Sequence, residues 1–223
     1  MKDIYSNVRF ADGTKAPAYR FYTSIGKRAF DLLLAAIILP VILPILSVLW
    51  VCVRLDGGPG FFGQERVGQN GRRFTCWKLR TMCLNAEAQL HRLCAADPKL
   101  AQEWYENQKL ENDPRITRVG RFLRASSLDE LPQIWNVIRG DMSFIGPRPF
   151  TSDQEHLYLA AGGRAYFKLR PGISGLWQVE GRNDTTFVDR IKFDNRYYDQ
   201  ASLLCDLVIL LKTAGVVISR TGK

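Results

Sequence analysis

Two adjacent carboxylates, Asp129 and Glu130, stand in the run Ala125-Ser126-Ser127-Leu128-Asp129-Glu130-Leu131-Pro132-Gln133. An arginine-rich stretch precedes them (Arg115, Arg118, Arg121, Arg124), and Gly146-Pro147-Arg148-Pro149 follows. A carboxylate can attack phosphorus as a nucleophile, and a neighbouring carboxylate can hold Mg²⁺. Guanidinium groups grip phosphate oxygens through their forked N–H donors. Together these residue types point to phosphoryl transfer. A plainer reading exists: Ser127 and Glu130 have capping-box spacing, which would make the acidic pair an ordinary helix start. Pro132 alters that reading, because proline is most comfortable at the first helical position. Both carboxylates then precede a helix running through Trp135 to about residue 138, at the end whose dipole favours anions. Arg148, between two prolines, is presented from a rigid backbone.

The elements that must position these groups begin with an apolar run, Leu32 to Val53. At about 20 residues it is long enough to span a bilayer as a helix. Pro40 and Pro44 lie inside it, and each removes a backbone donor. Both flanks are basic: Lys27 and Arg28 before, Arg54, Arg66, Arg72 and Arg73 after. Positive charge favours the cytoplasmic side, so both ends favour the same side. A re-entrant helix that enters, breaks near Pro44 and returns meets both constraints. A kinked transmembrane helix is the alternative. Asp31 sits at the polar entrance, where it can pair with Lys27 or Arg28. Residues 1–26 read as an extended polar lead-in without the pattern of a secretory signal. The expected organisation is a lead-in (1–26), a membrane helix (27–56) and a catalytic domain (57–223).

Two aromatic and β-branched runs around Asn70-Gly71 predict a β-hairpin. Alternation on its second strand places Lys78 and Arg80 on one face, where they are either solvated or turned toward a phosphate. Residues 84–110 predict helices with a break at Asp97-Pro98. The segment Arg115–Arg124 predicts an amphipathic helix, either interfacial with its cations toward headgroups or simply solvated. The apolar stretch Leu203–Ile218 predicts an interfacial or core helix.

The chain has 223 residues and a formal charge of +9, which suits phospholipid headgroups, nucleotide phosphates or nucleic acid. No nucleic-acid recognition motif is present, and the long apolar run argues against that partner. Five cysteines without a CxxC pair indicate reduced thiols. Two histidines, His91 and His156, argue against a histidine-based zinc site or a serine–histidine triad.

Ordered blocks from Lys27 nearly to the C-terminus carry a specific resemblance. They include Lys27-Arg28-x-Phe30-Asp31, Gln64-Glu65-Arg66-Val67-Gly68, Lys78-Leu79-Arg80-Thr81-Met82, Asp113-Pro114-Arg115-Ile116-Thr117, Ser127-Leu128-Asp129-Glu130-Leu131-Pro132-Gln133, Gly146-Pro147-Arg148-Pro149 and Pro171-Gly172-Ile173-Ser174-Gly175-Leu176-Trp177-Gln178. The chain resembles the bacterial sugar transferases, the small monotopic phosphoglycosyl transferases that begin exopolysaccharide or glycoconjugate assembly. The resemblance implies an α+β, mostly helical fold: a re-entrant membrane helix plus a cytoplasmic catalytic domain with a β-hairpin and interfacial amphipathic helices. It implies transfer of a sugar 1-phosphate from a UDP-sugar, glucose or galactose, to undecaprenyl phosphate at the cytoplasmic face of the bacterial inner membrane. Asp129 would carry the phosphosugar and Glu130 would hold Mg²⁺. Arg148, with Arg115, Arg118 or Arg124, would bind phosphate oxygens, and Lys78 and Arg80 are further candidates. The family often breaks its membrane helix at Ser-Pro, where this chain has Leu43-Pro44. Membrane lipid is an expected partner, and a homodimer is compatible with the sequence. The competing expectation is an inactive, membrane-anchored relative acting as a scaffold.

Overall fold

Helix dominates the first quarter of the computed structural model, which describes residues 17–107, 110–181 and 185–218. Helix α1 (Pro17–Phe21) passes through one π-helical turn (Tyr22–Gly26) into α2 (Lys27–Arg54). The lead-in expected to be extended is therefore helical from Pro17 onward, and its first part, residues 1–16, lies outside the described residues. The physical reason is a tertiary contact invisible locally: the buried Tyr22 hydroxyl donates to Asp206 Oδ2 at 2.6 Å. The continuous stretch Ala18–Arg54 is long and apolar enough to cross a membrane by length and composition.

The expected break near Pro44 does not interrupt the helix: α2 runs as one α-helix through Pro40 and Pro44. The two prolines are four residues apart, so their missing donors fall on one face, and that face is exposed. The opposite face is packed along its length. Ala35, Ile38, Leu39 and Ile42 join the main core, while Leu46, Leu49, Trp50 and Val53 join a smaller cluster with Leu79 and Leu123. Spacings of three and four residues put these on one stripe. Away from it, Leu33, Ile37, Val41, Val48 and Val51 are exposed. A helix apolar on both sides, with protein on only one, presents the kind of surface that lipid covers. Ser47 Oγ donates to the Leu43 carbonyl at 2.9 Å, a back-bond that often accompanies helix bending.

Both ends of this 28-residue helix, about 42 Å long, are tied to the same body. At its start, Lys27 Nζ meets Asp206 Oδ2 at 2.6 Å, and Arg28 donates to the carbonyls of Val137 (2.5 Å) and Ile138 (2.7 Å). At its end, the Val53 carbonyl accepts from Arg80 Nη2 at 3.0 Å. The expected pairing of Asp31 with Lys27 or Arg28 gives way accordingly. Asp31 Oδ1 instead accepts from the Ser143 hydroxyl (2.9 Å) and the Phe144 N–H (3.1 Å), fastening the helix to the core.

The remaining elements follow in order. Strands β1 (Phe61–Val67) and β2 (Arg73–Leu79) form the expected antiparallel hairpin, in register from Phe61↔Leu79 to Val67↔Arg73. Asn70 takes the left-handed conformation (φ 56°) at its tip, which asparagine tolerates better than most residues. Helices α3 (Ala86–Ala96) and α4 (Pro98–Asn107) break at Asp97 as the sequence predicts. Helix α5 (Arg118–Ser126), a 3₁₀ turn (Leu128–Glu130) and α6 (Gln133–Arg139) lead into β3 (Ser143–Ile145). After α7 (Ser152–Ala160), β4 (Gly172–Ser174) pairs with β3 in parallel. Helices α8 (Leu176–Glu180), α9 (Arg190–Gln200) and α10 (Leu203–Ile218) complete the described chain. The result is an α+β fold, mostly helical. On α10, Asp206 and Ile209 are buried while Leu204, Leu207 and Leu211 are exposed, giving a second helix with an outward apolar face.

Candidate active site

The acidic pair owes its placement to a reversal of the chain between two helices. Helix α5 ends at Ser127, whose left-handed backbone (φ 57°) turns its N–H back onto the Leu123 and Arg124 carbonyls. Leu128–Glu130 make one 3₁₀ turn before Pro132 opens α6. The capping-box reading fails here, because the Ser127 side chain makes no cap bond. The Glu130 side chain turns instead toward two cations. Lys78 Nζ lies 2.7 Å from Glu130 Oε1, and Arg148 Nη2 lies 3.0 Å from the same oxygen. Lys78 Nζ is also 3.6 Å from Asp129 Oδ2.

Strand β2 supplies Lys78, and its outer edge is held by α6. Asn136 Oδ1 accepts from the Trp77 N–H at 3.1 Å, and its Nδ2 donates to the Thr75 carbonyl at 2.7 Å. One side-chain amide thus does for β2 what a third strand would do, and locks the hairpin to the helix that follows the acidic pair.

The two carboxylates differ electrostatically. Burial pushes the Asp129 carboxyl up and Lys78 pulls it down, with burial prevailing and Glu130 adding to the rise. Burial also acts on Glu130, but the charges of Arg148 and Lys78 together outweigh it and hold the carboxyl down at about 2. Neighbouring acids whose acidities are driven apart are a recurrent sign of divided roles. Asp129 is the more basic and hence the more nucleophilic of the two when ionised. Glu130 remains an anion throughout the working pH range.

Arg148 reaches Glu130 from the Pro147-Arg148-Pro149 segment, and Glu130 in turn stabilises its protonated form. Arg124 is exposed on α5; its Nε donates to Thr81 Oγ1 at 2.9 Å, and its charge reaches Asp129. The other predicted cations go elsewhere. β2 ends at Leu79, so Arg80 leaves the strand face. Its donors serve the carbonyls of Val53, Pro59 and Met82 and both oxygens of Asp56, which makes it the clasp at the far end of α2. Arg115 precedes α5, forms a two-pronged ion pair with Asp113 (2.8 and 2.6 Å) and lies over the Trp104 ring at 5.2 Å. Arg118 is exposed near the start of α5.

One cation at the site was missed. Arg66 shares a β1–β2 face with Cys76 and Lys78, because the register pairs Gln64 with Cys76 and Phe62 with Lys78. Its Nη2 donates to Gln64 Oε1 (2.6 Å) and its Nη1 to the Pro149 carbonyl (3.4 Å). Extending the hairpin register outward from Asn70-Gly71 is the signal that would have found it.

Two cavities meet at Glu130 and Arg148. One, of about 20 Å³, is lined by Arg66, Cys76, Lys78 and Gln133. The other, of about 250 Å³, is walled largely by Ile42 of α2, Leu128, Ile134, Phe144, Ile173 and Val179. A cationic chamber and an apolar chamber thus share one charged wall. Glu130 lines both; Asp129 lines neither, and its side chain is 11% exposed.

Among the described residues no group of three His, Cys, Asp or Glu side chains converges. A closed protein cage for a metal is therefore not what this site offers. Mg²⁺ is often held by one or two carboxylates, with waters and substrate phosphates completing its octahedron. An adjacent carboxylate pair, one member kept ionised, fits that kind of site.

Comparison with known proteins extends this geometry. The family model for bacterial sugar transferases matches residues 22–220. The UDP-galactose-lipid carrier transferase of Erwinia amylovora is 48% identical over 196 residues, covering 88% of this chain and 41% of that protein. The undecaprenyl-phosphate galactose phosphotransferase of Salmonella typhimurium is 47% identical over 196 residues, with the same coverage. The chain thus spans about two fifths of the length of these two relatives. The exopolysaccharide production protein ExoY of Sinorhizobium fredii is 44% identical over 206 residues, covering 92% of this chain and 91% of its own.

Proposed function

Because the chain belongs to the bacterial sugar transferase family, we propose that it is a phosphoglycosyl transferase. It moves a sugar 1-phosphate from a UDP-sugar to undecaprenyl phosphate, yielding undecaprenyl-diphosphate-sugar and UMP. The observation that carries this reading is the divided pair: a buried, more basic Asp129 beside a Glu130 pinned as an anion by Lys78 and Arg148.

In the first step an oxygen of Asp129 attacks the β-phosphorus of the UDP-sugar. The new O–P bond forms as the bond from that phosphorus to the bridging oxygen breaks, and UMP leaves with that oxygen. In the second step a phosphate oxygen of undecaprenyl phosphate attacks the same phosphorus. The aspartyl–phosphorus bond breaks and the carboxylate is regenerated. Lys78, Arg148 and Arg66 stabilise the charge on the transferring group, which is where phosphoryl transfer gains most of its rate. Mg²⁺, when bound, neutralises charge on the diphosphate, and Glu130 is the residue that would hold it. The apolar chamber suits an isoprenoid chain, and Arg148 on its wall suits phosphate oxygens. The wall it shares with the cationic chamber gives a soluble donor and a lipid acceptor one meeting point.

Release of UMP across a panel of UDP-sugars, with undecaprenyl phosphate present, tests the reaction. The galactose named for two of the relatives makes UDP-galactose the first donor to try and UDP-glucose the second. UMP is the expected nucleotide. Release of UDP instead would mean plain glycosyl transfer, and no release from any donor would end this reading.

The ties of both ends of α2 to one body and the basic charge of both flanks support a placement in which both ends lie on the cytoplasmic face of the inner membrane. Single cysteines placed at Ser24 and at Gly57 should label from the same face of sealed vesicles. Labelling of the two from opposite faces would establish a spanning helix instead.

A further inference from the structure

We infer that Arg190 is a positioning residue for Arg148, acting through the backbone of the Pro147-Arg148-Pro149 segment. Arg190 stands on α9, well beyond the acidic pair in sequence, and its Nη2 donates to the carbonyl of Arg148. It is 3% exposed, a rare setting for a guanidinium. Four aromatic rings surround it: Phe150 and Phe187 at 5.4 Å, Trp177 at 5.6 Å and Tyr166 at 5.8 Å. Its Nε lies 3.5 Å from Asp194 Oδ2, and that carboxylate oxygen also accepts from the Tyr158 hydroxyl at 2.9 Å.

Ring faces and a counter-charge are what a desolvated guanidinium requires to remain buried. They account for the survival of Arg190 in the core, but not for its reach across to the loop. The loop supplies that reason. Prolines 147 and 149 fix φ on either side of Arg148, and a residue before proline is confined to extended conformations. The direction of the Arg148 carbonyl then sets which way its side chain leaves the backbone. Arg190 holds that carbonyl, and Arg66 holds the next one, at Pro149. A continuous line of contacts runs from Tyr158 through Asp194, Arg190 and the Arg148 backbone to Glu130 Oε1. Lysine could supply the charge of Arg190, but not a forked donor set that reaches the carbonyl while facing four rings.

The inference rests on the proposed transferase for its readout, so the test includes a control for that reading. Steady-state transfer would be measured for the wild type, Arg190→Lys, Arg148→Lys and the double variant, with thermal unfolding of each in the same detergent. Arg190→Lys should lower kcat/KM for the UDP-sugar by about tenfold, and by no more than about twofold when Arg148 is already lysine, because interacting sites are not additive. Equal losses in both backgrounds, or wild-type kcat/KM in Arg190→Lys, would overturn the inference. Should Arg190→Lys fail to fold, Tyr158→Phe loosens the same line more gently and is judged by the same criterion. Transfer surviving in Asp129→Asn would instead overturn the proposed reaction, which separates the two failures.

Discussion

Asp129→Asn is expected to abolish sugar-phosphate transfer while leaving the protein as stable as the wild type, or more so. The amide matches the carboxylate in shape but offers no ionised oxygen for attack, so the loss should be on the order of 10³-fold or more. The stability half follows from linkage. The folded-state carboxyl of Asp129 is raised by burial, so its ionised form opposes folding. That penalty is present above the folded value and disappears as pH falls below the unfolded one. Asparagine removes it, so any advantage over wild type should be visible at pH 7 and shrink in acid. The acid limb of kcat/KM should likewise lie above the ordinary aspartate value of 3.8, because the nucleophile must be ionised. Mass spectrometry of wild type incubated with UDP-sugar alone should find a phosphosugar adduct on Asp129. An adduct on Glu130, or turnover in the asparagine variant, would remove Asp129 from the role.

Glu130→Gln is expected to act in the opposite sense on stability. The Glu130 carboxyl is depressed from 4.5 to about 2, so its ionised form favours the folded state. That contribution is complete above the unfolded value and is lost as pH falls from about 4.5 toward 2. A difference of this size corresponds to about 3 kcal/mol. Glutamine forfeits it, leaves Arg148 without its ion-pair partner and leaves Lys78 with Asp129 alone, so unfolding at pH 7 should occur well below the wild-type temperature. The gap between the two proteins should close as the pH approaches 2. Transfer should fall on the order of 10²-fold or more, because the cations lose the anchor that aims them and the site loses its ionised ligand. Unfolding curves of the two proteins between pH 2.5 and 7 give the comparison. A gap that stayed constant over that range would show that Glu130 is not held down by its cations.

Local signals carried a good part of the architecture. The hairpin around Asn70-Gly71, the helix break at Asp97-Pro98 and the short helix after Pro132 each depend on residues a few positions apart, and each is present. The arginines show where local reasoning ends. Arg118, Arg121 and Arg124 recur every third residue, but a helix turns once per 3.6, so each step moves the side chain about 60° around the axis. They cannot all face one site, and Arg124 is the one whose charge lowers the Asp129 carboxyl. Arg115 precedes the helix and is claimed by Asp113, a neighbour two residues away. Arg80 lies one residue past the end of its strand, and that single residue turns it from the site to the clasp on α2.

What the amino-acid sequence determined by itself were the candidate groups for the chemistry and a segment long and apolar enough to cross a membrane. The acidic pair, the arginine between two prolines, and an apolar run with basic flanks are all contiguous features. The tertiary structure decided which charges face each other. Lys78 and Glu130 are 52 residues apart, Arg190 and Arg148 are 42 apart, and Lys27 and Asp206 are 179 apart. Such pairings form only when the chain brings distant segments together. Whether a carboxylate becomes the more basic of the pair or the pinned anion depends on the burial and charges found there, which its sequence neighbours do not specify.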